Sequence, residues 1–473
     1  MIYTTILSMK HYTSLARYIK PSLYIFIAVF FIGCSKKATA PVMDKTSLFE
    51  NKNLASDIVV NYRLEKAAIT DTFNRAIDEI FKANFDIPDY DIKLSLKKPK
   101  SAAVEIEGKN MLVIIPVDIN VTKSTFLTDL KAKGTLEMTF VTELDVDSLW
   151  NFKTKTSLSY QRWIDKPKLS VFGINLPVET IANVVINKTK HLIVQNIDES
   201  VKQNFTLSQK MKEIFATFDQ PIQMDDASFG WMSFIPQSVY MSKITNSRFS
   251  AIGKIQIKAT TAYSTYKPQP KNTSAKLPKM YWSDQIKDSS EVQIVTDIQM
   301  MDINQYIKKN LDGQTFTQGG NTMKLSNIVT NCDYEYIRVI TDVEGTVNGM
   351  LIIKGIPKFD KAKGEIYTSI VDIQFKTKNK LHKAAAWIAE GKIKKELESN
   401  IKFSINESIK EVQNTIDTEM ETYSKANDMD LVVKIGSASL MDYKLKPGQI
   451  EAIFNTKFKI DVGIKNFKTF NRY

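Results

Sequence analysis

Residues 379–420 read NKLHKAAAWIAEGKIKKELESNIKFSINESIKEVQNTIDTEM. Ile388, Ile393, Leu397, Ile401, Ile405, Ile409, Val412 and Ile416 recur close to helical spacing. The stripe predicts one helix of about 40 residues, roughly 60 Å at 1.5 Å per residue, with Gly391 as its weak point. A helix of that length needs a long partner surface to bury its apolar face. A strongly twisted antiparallel sheet wrapped around it would supply one. This reading decides the expected fold class: α+β, elongated, with sheets wrapped on long helices.

The rest of the chain supplies both ingredients. In GTLEMTFVTELDVD (134–147), Leu136, Met138, Phe140, Leu144 and Val146 share one face at period two. NMLVIIPVDINV (110–121) reads as a neighbouring strand in which Pro116 implies an edge or a bulge. SDIVVNYRLEKAAITDTFNRAIDEIF (56–81) starts as a strand at Ile58 and Val60, then places Ile69, Phe73, Ile77 and Ile80 at helical spacing. A second long helix starts near Pro177, a residue suited to a first turn. Its stripe is Val178, Ile181, Val185, Leu192, Ile197, Val201 and Phe205.

After YKPQPKNTSAKLPK (266–279), which has the composition of a linker, the order of elements begins again. SVYMSKITNSRFSAIGKIQIKA (238–259) and SASLMDYKLKPGQIEAIFNTKFKIDV (437–462) end the two halves alike, with a serine, a turn and a long alternating strand. The expected organisation is a tandem of two similar units, each a twisted sheet with a long helix. The boundaries are 53–265 and 286–473, with a linker at 266–285.

The N-terminus sets the expected compartment. PSLYIFIAVFFIGCSKK (21–37) holds 11 apolar or small residues from Leu23 to Gly33, against about 20 for a spanning helix. Lys10, Arg17 and Lys20 precede it and no acid lies before Cys34, the pattern of a secretory signal. FIGC resembles the lipobox of bacterial lipoproteins, with Phe31 where leucine is usual. That resemblance implies a signal peptide at 1–33, acylation of Cys34 and a tether at 34–52. Ser35, Lys36 and Lys37 then imply an outer-membrane lipoprotein facing the periplasm.

Lipobox, tandem unit and twisted-sheet-with-helix pattern together resemble a family of Gram-negative lipoproteins carrying a domain of unknown function. More remotely, residues 53–465 are similar to the tubular lipid-binding superfamily of the bactericidal/permeability-increasing proteins. The resemblance implies an elongated body that binds an acyl chain or whole lipid in an apolar groove. The disulfide of the mammalian members has no counterpart, because Cys34 and Cys332 are the two cysteines of the chain. Cys332 reads as a small buried hydrophobe.

Composition and motifs narrow the function further. The net charge of +12 suits anionic head groups or nucleic acid, and export disfavours nucleic acid. Beyond the leader, histidine occurs at His191 and His382, one on each expected long helix. No G-x-S-x-G, H-E-x-x-H, C-x-x-C or phosphate-cradling loop is present. Asp145 and Asp147 alternate with apolar residues as a solvated strand face would. The cluster GWMSFIP (230–236) reads as a plug between the halves or a hydrophobic tip.

The expectation is therefore a non-enzymatic protein without cofactor or metal that binds or transfers lipid or another long apolar ligand between helix and sheet. Ile181, Val185, Ile197 and Val201 would line the first groove, and Ile388, Leu397, Ile401 and Ile405 the second. The competing expectation is an assembly lipoprotein whose cores are solid and whose surface recruits envelope proteins.

Overall fold

SDIVVNYRLE, Ser56–Glu65, forms strand β1 and runs without a break into helix α1, Lys66–Ile77. The computed structural model describes residues 54–465 apart from 83, 89–90, 125–127, 170–177, 205–206, 217, 224–229, 271–275, 319, 347, 378–393, 396–397, 399–401 and 428. The expected leader, tether and Cys34 lie outside the described residues. The junction of β1 and α1 has a counterpart where β13 (Ser290–Gln299) feeds α4 (Met300–Leu311). In both, the residue before the helix keeps an extended backbone and makes no side-chain cap.

These two strands share one lane of the largest sheet. On one flank lies β11 (Ser250–Ser264), whose first part pairs antiparallel with β1 and whose last four residues pair parallel with Ile294–Asp297 of β13. On the other flank lies β21 (Gln449–Ile464), antiparallel to β13 over its first ten residues and parallel to β1 over Ile460–Ile464. The two strands meet at Asp57 and Glu291 and run apart from there. Helices α1 and α4 therefore leave the sheet at opposite ends.

Two buried serines close the gap where the strands meet. Ser290 Oγ accepts from Val59 N–H at 2.9 Å and donates to Val59 C=O at 3.2 Å. Ser56 Oγ does the same for Gln293, at 3.0 and 3.3 Å. Each hydroxyl stands in for the missing neighbour strand, so the backbone groups of the lane stay satisfied.

The full central order is β12 (Lys279–Trp282), β9 (Trp231–Met241), β11, β1 with β13, β21 and β20 (Met429–Lys446). Two-residue strands β8 (Ile222–Gln223) and β10 (Thr245–Asn246) pair with β9 and β11. Strand β12 falls inside the stretch read as a linker.

One outer sheet has the order β2 (Asn84–Ile87), β3 (Ile92–Lys97), β5 (Asn110–Ser124), β6 (Asp129–Val146), β7 (Phe152–Leu169), with β4 (Ala103–Glu107) beside β5. Its core includes residues of α1 and of α2 (Val178–Asn204), which is followed by α3 (Leu207–Ala216). The other has the order β14 (Thr315–Gln318), β15 (Asn321–Cys332), β16 (Ile337–Gly345), β17 (Gly349–Asp360), β18 (Glu365–Lys376), β19 (Lys402–Ser404), and packs on α4. Pro116 fits because β3 and β4 divide one flank of β5 between them. Ile114 pairs with Ala103 and Asp118 with Lys97, leaving Pro116 in the gap, where no donor is needed.

The fold class departs from expectation. Strand makes up 61% of the described structure and helix 20%, so the molecule is mostly β and its sheets are not wrapped on long helices. The single helix expected over residues 379–420 does not form. Lys402–Ser404 pairs antiparallel with Glu365–Tyr367 of β18, and helix α5 (Ile405–Asn427) starts only after it. The pairing satisfies edge groups of β18, a gain that the four-residue spacing of Leu397, Ile401 and Ile405 does not reveal. Asn406 Nδ2 then donates to Lys363 C=O at 2.8 Å, seating the first turn of α5 against Gly364, whose φ of +64° suits glycine.

The helices guard strand edges with polar side chains. Gln413 on α5 donates to Val433 C=O and accepts from Ile435 N–H, both at 2.8 Å, at a bulge in edge strand β20. Ser424 accepts from Leu431 N–H at 2.9 Å. Glu398 accepts from Ile370 N–H on β18 at 2.8 Å, also at a bulge. Unpaired edges invite other chains, and here side chains occupy them.

At the end of the lane that feeds α4, a charged group is enclosed. Asp297 lies opposite Glu451, which pairs with Lys446 at 2.6 Å, and Tyr266 donates to Asp297 at 2.9 Å. The second Asp297 oxygen, Oδ1, is buried without a hydrogen-bond partner. Burial pushes the Asp297 carboxyl above its usual range, outweighing the Tyr266 bond. A raised carboxyl binds its proton more tightly in the folded state. Stability is then lost as pH rises from the ordinary Asp value near about 3.9 through the raised one. Asp297→Asn is expected to flatten this decline in a urea-midpoint-against-pH profile; a profile parallel to wild type would place the titration elsewhere.

Candidate functional site

The first outer sheet and helix α2 enclose the largest apolar core described. Its floor is Ile115, Leu136, Met138 and Phe140, all fully buried. From α2, Ile186, Ile193 and Ile197 press into it, and α1 adds Ile69, Phe73 and Ile77. The period-two rows of β5 and β6 and the helical stripe of α2 meet face to face, as their patterns require.

Strand β7 is where this core opens. Its inward positions are set by register with β6: Leu158 lies opposite Phe140, Gln161 opposite Met138, and Trp163 opposite Leu136. The three floor residues have no exposure. Their β7 partners differ, with Leu158 and Trp163 half-buried and Gln161 exposed. The irregularity of register between Thr139 and Phe140 falls between Leu158 and Tyr160, so Leu158 ends the first part of β7 and Trp163 belongs to the next. Leu158, Trp163 and Val194 thus form a half-buried apolar strip, here called the seam, where β7 and α2 pack on one another.

One end of the seam is closed by a polar pin. Asp198 on α2 accepts from Thr156 Oγ1 at 2.7 Å and from Thr156 N–H at 3.4 Å. Thr156 and Thr142 share a further hydroxyl contact at 2.9 Å. The pin fixes helix to edge strand at Thr156, and β7 uncovers beyond it.

Of the expected lining residues, Ile197 is 1% exposed and belongs to the closed core. Ile181, Val185 and Val201 lie on α2, and Ile405 is the first residue of α5. Ile388, Leu397 and Ile401 lie outside the described residues, as does His382. His191 is exposed on α2. Leu158, Trp163 and Asp198 went unrecognised in the sequence, although an indole among the polar residues of SYQRWID is a signal available there.

Asp145 and Asp147 have separate roles. Lys109 bonds Asp145 at 2.6 Å and holds its carboxyl below the usual range, with Trp282 Nε1 donating to the same oxygen at 3.1 Å. This ties the first outer sheet to β12. Asp147 caps the turn to Asn151, whose backbone N–H is the main cause of a carboxyl pushed down to about 2. Cys332 is buried, its thiol donating to Lys446 C=O at 2.9 Å. Trp231, Met232, Phe234 and Ile235, expected around a turn, lie in strand β9, where Met232 and Phe234 are buried. Among the described residues, no group of three His, Cys, Asp or Glu could hold a metal ion, and no helix is long and apolar enough to cross a membrane.

Residues 55–464 match the family described as "Domain of unknown function (DUF4403)". No curated protein matches the chain. Among solved structures, a lipopolysaccharide binding protein is similar at 10% identity, covering 86% of this chain and 98% of its own, with a TM-score of 0.26. P47 of Clostridium botulinum E1 is similar at 9% identity, covering 84% and 98%, with a TM-score of 0.20.

Proposed function

We propose that this chain, which belongs to the DUF4403 family, binds a long apolar ligand such as a lipid acyl chain in the seam between β7 and α2. The observation that carries the reading is the contrast across the β6–β7 pair: Leu136 and Phe140 are fully buried while Trp163 and Leu158 opposite them are half-open. An acyl chain laid along that wall removes apolar surface from water at roughly 25 cal/mol per Å². The protein acts by holding and releasing, without catalysis. It works as two similar units, delivered through a leader and held at the outer membrane, on the periplasmic side, by acyl groups on Cys34. Two chains make such an anchor stable.

The test uses full-length protein and a pyrene-labelled hexadecanoic acid methyl ester. Pyrene emission anisotropy should report uptake, and Trp163→Ala should weaken affinity about tenfold, as expected for losing one large apolar contact. No uptake by wild type would leave the solid-core assembly reading.

A further inference from the structure

The turn between β6 and β7 is built to hold one residue outward. Asp147 accepts from the backbone N–H of Leu149 at 3.0 Å and of Asn151 at 2.9 Å, and from Asn151 Nδ2 at 3.0 Å. Trp150 takes a φ of +67°, a left-handed conformation that bulky side chains rarely adopt. Its indole is nonetheless buried, in a core with Val146, Phe215, Val239 and Met280, and Nε1 donates to Pro278 C=O at 2.7 Å. The same turn leaves Leu149 66% exposed. Backbone strain of this kind gathers at functional sites, and here its product is a displayed leucine.

Two contacts fix the neighbours of that leucine. Met280 N–H donates to Ser148 C=O at 3.3 Å, and Trp150 reaches Pro278. Ser148 beside Met280 and Trp150 beside Pro278 is an antiparallel order, which sets Leu149 beside Lys279 of β12. Met280 is buried, while Lys279 and Tyr281 are exposed on the other face of that strand. Tyr281 pairs with Tyr240 of β9 and stacks on it at 5.4 Å, and Lys258 Nζ of β11 lies 5.4 Å from the centre of the Tyr240 ring. Leu149, Tyr281 and Tyr240 thus form an apolar patch interleaved with ammonium groups.

The patch is positively charged. Lys276 and Lys279 are exposed, and neither has an ion-pair partner among the described residues. The carboxylates nearby are engaged: Asp147 in its turn and with Lys153 at 3.3 Å, Asp145 with Lys109 at 2.6 Å, and Asp57 with Gln256 at 2.7 Å. We propose that this face docks on an anionic lipid bilayer, with Leu149 entering the acyl boundary, the tyrosines at head-group level and the lysines against the phosphates. Aromatic rings with a polar tip suit that level, and lysines close to the membrane are drawn by its negative surface potential. An aliphatic tip suits hydrocarbon, whereas a nucleic acid or a glycan would use the rings alone. The docking face is separate from the seam and does not depend on what the seam holds.

The experiment uses the full-length chain with Cys34→Ser, which leaves the buried Cys332 as the one native thiol. Leu149→Cys then carries a bimane label, and Tyr334→Cys, at a position 62% exposed between β15 and β16, carries the same label as control. Vesicles of equimolar phosphatidylglycerol and phosphatidylcholine should shift the emission of the label at position 149 to the blue, and vesicles of phosphatidylcholine alone should not. The label at position 334 should respond to neither. Lys279→Ala should raise the lipid concentration at half-maximal shift about fivefold, the scale of one lysine near an anionic surface, with the melting temperature unchanged because the side chain is exposed. No shift at position 149, equal shifts at both positions, an equal shift on neutral vesicles, or no response to Lys279→Ala would overturn the assignment. A shift with polyglutamate and none with vesicles would also overturn it, by marking the face as one for an acidic protein.

Discussion

Glu451→Ala is expected to cost about 3–5 kcal/mol of stability, the scale of breaking a buried ion pair by removing one partner. The Lys446 and Glu451 side chains are 10% and 7% exposed and lie 2.6 Å apart. The pair spans the turn of the β20–β21 hairpin, where Gly448 has a φ of +79°. That turn is clamped from outside the hairpin: Met300 N–H donates to Gly448 C=O at 2.9 Å, and Gly448 N–H donates to Cys332 C=O at 3.3 Å. Without Glu451, the Lys446 ammonium would stay enclosed beside a smaller side chain. The hairpin would have to open to wet it, loosening the start of α4 and the end of β15 together. Chemical denaturation gives the cost as a shift in midpoint. A double variant, Lys446→Met with Glu451→Leu, should recover most of the loss, since two apolar residues replace the pair without an unpaired charge. If the single variant lost under about 1 kcal/mol, as an exposed pair would, the enclosure of Lys446 would be refuted.

How far these arrangements could be read in advance depends on the range of the interactions behind them. The strand at Ile58 and Val60, the helix carrying Ile69, Phe73 and Ile77, and the helix beginning after Pro177 were legible because their patterns repeat within a few residues. The break at Lys402–Ser404 was not. Its cause is a pairing with Glu365–Tyr367, more than thirty residues back, while the local apolar spacing continues as if for a helix. The mostly β class was missed for a related reason. Helical stripes repeat within a few residues, whereas residues such as Thr154 and Arg162 of β7 carry no strong pattern yet lie in an 18-residue strand held by β6. For the candidate seam, the buried floor at Leu136, Met138 and Phe140 was readable from alternation. Its openness was not, because Leu158 and Trp163 differ from their partners only in what covers them.

Ser290→Ala should cost about 2–4 kcal/mol, far more than a serine in an exposed strand, because two backbone groups of Val59 lose their partner at once. Each buried group left unsatisfied carries about 1–3 kcal/mol. Alanine fits the space, so packing contributes little and the loss isolates the hydrogen bonds. Ser56→Ala should act in the same way through Gln293 but with a smaller effect, since the Gln293 carbonyl keeps its 2.7 Å bond from Thr261 Oγ1 and only its N–H loses a partner. The two hydroxyls serve separate backbone groups within one junction, and a double-mutant cycle measures how far they depend on each other. The expected double variant unfolds at a lower urea midpoint than either single. Independent losses would mean that each half-lane is held by its own serine. Strong coupling would mean that β1 and β13 stay aligned only while both are present. A loss below about 0.5 kcal/mol for Ser290→Ala would contradict the account, because it would require water or relaxed backbone to reach Val59 at the centre of the sheet. The consequence extends beyond stability: α1 and α4 leave from opposite ends of this lane, so whatever holds its middle also sets where the two outer sheets begin.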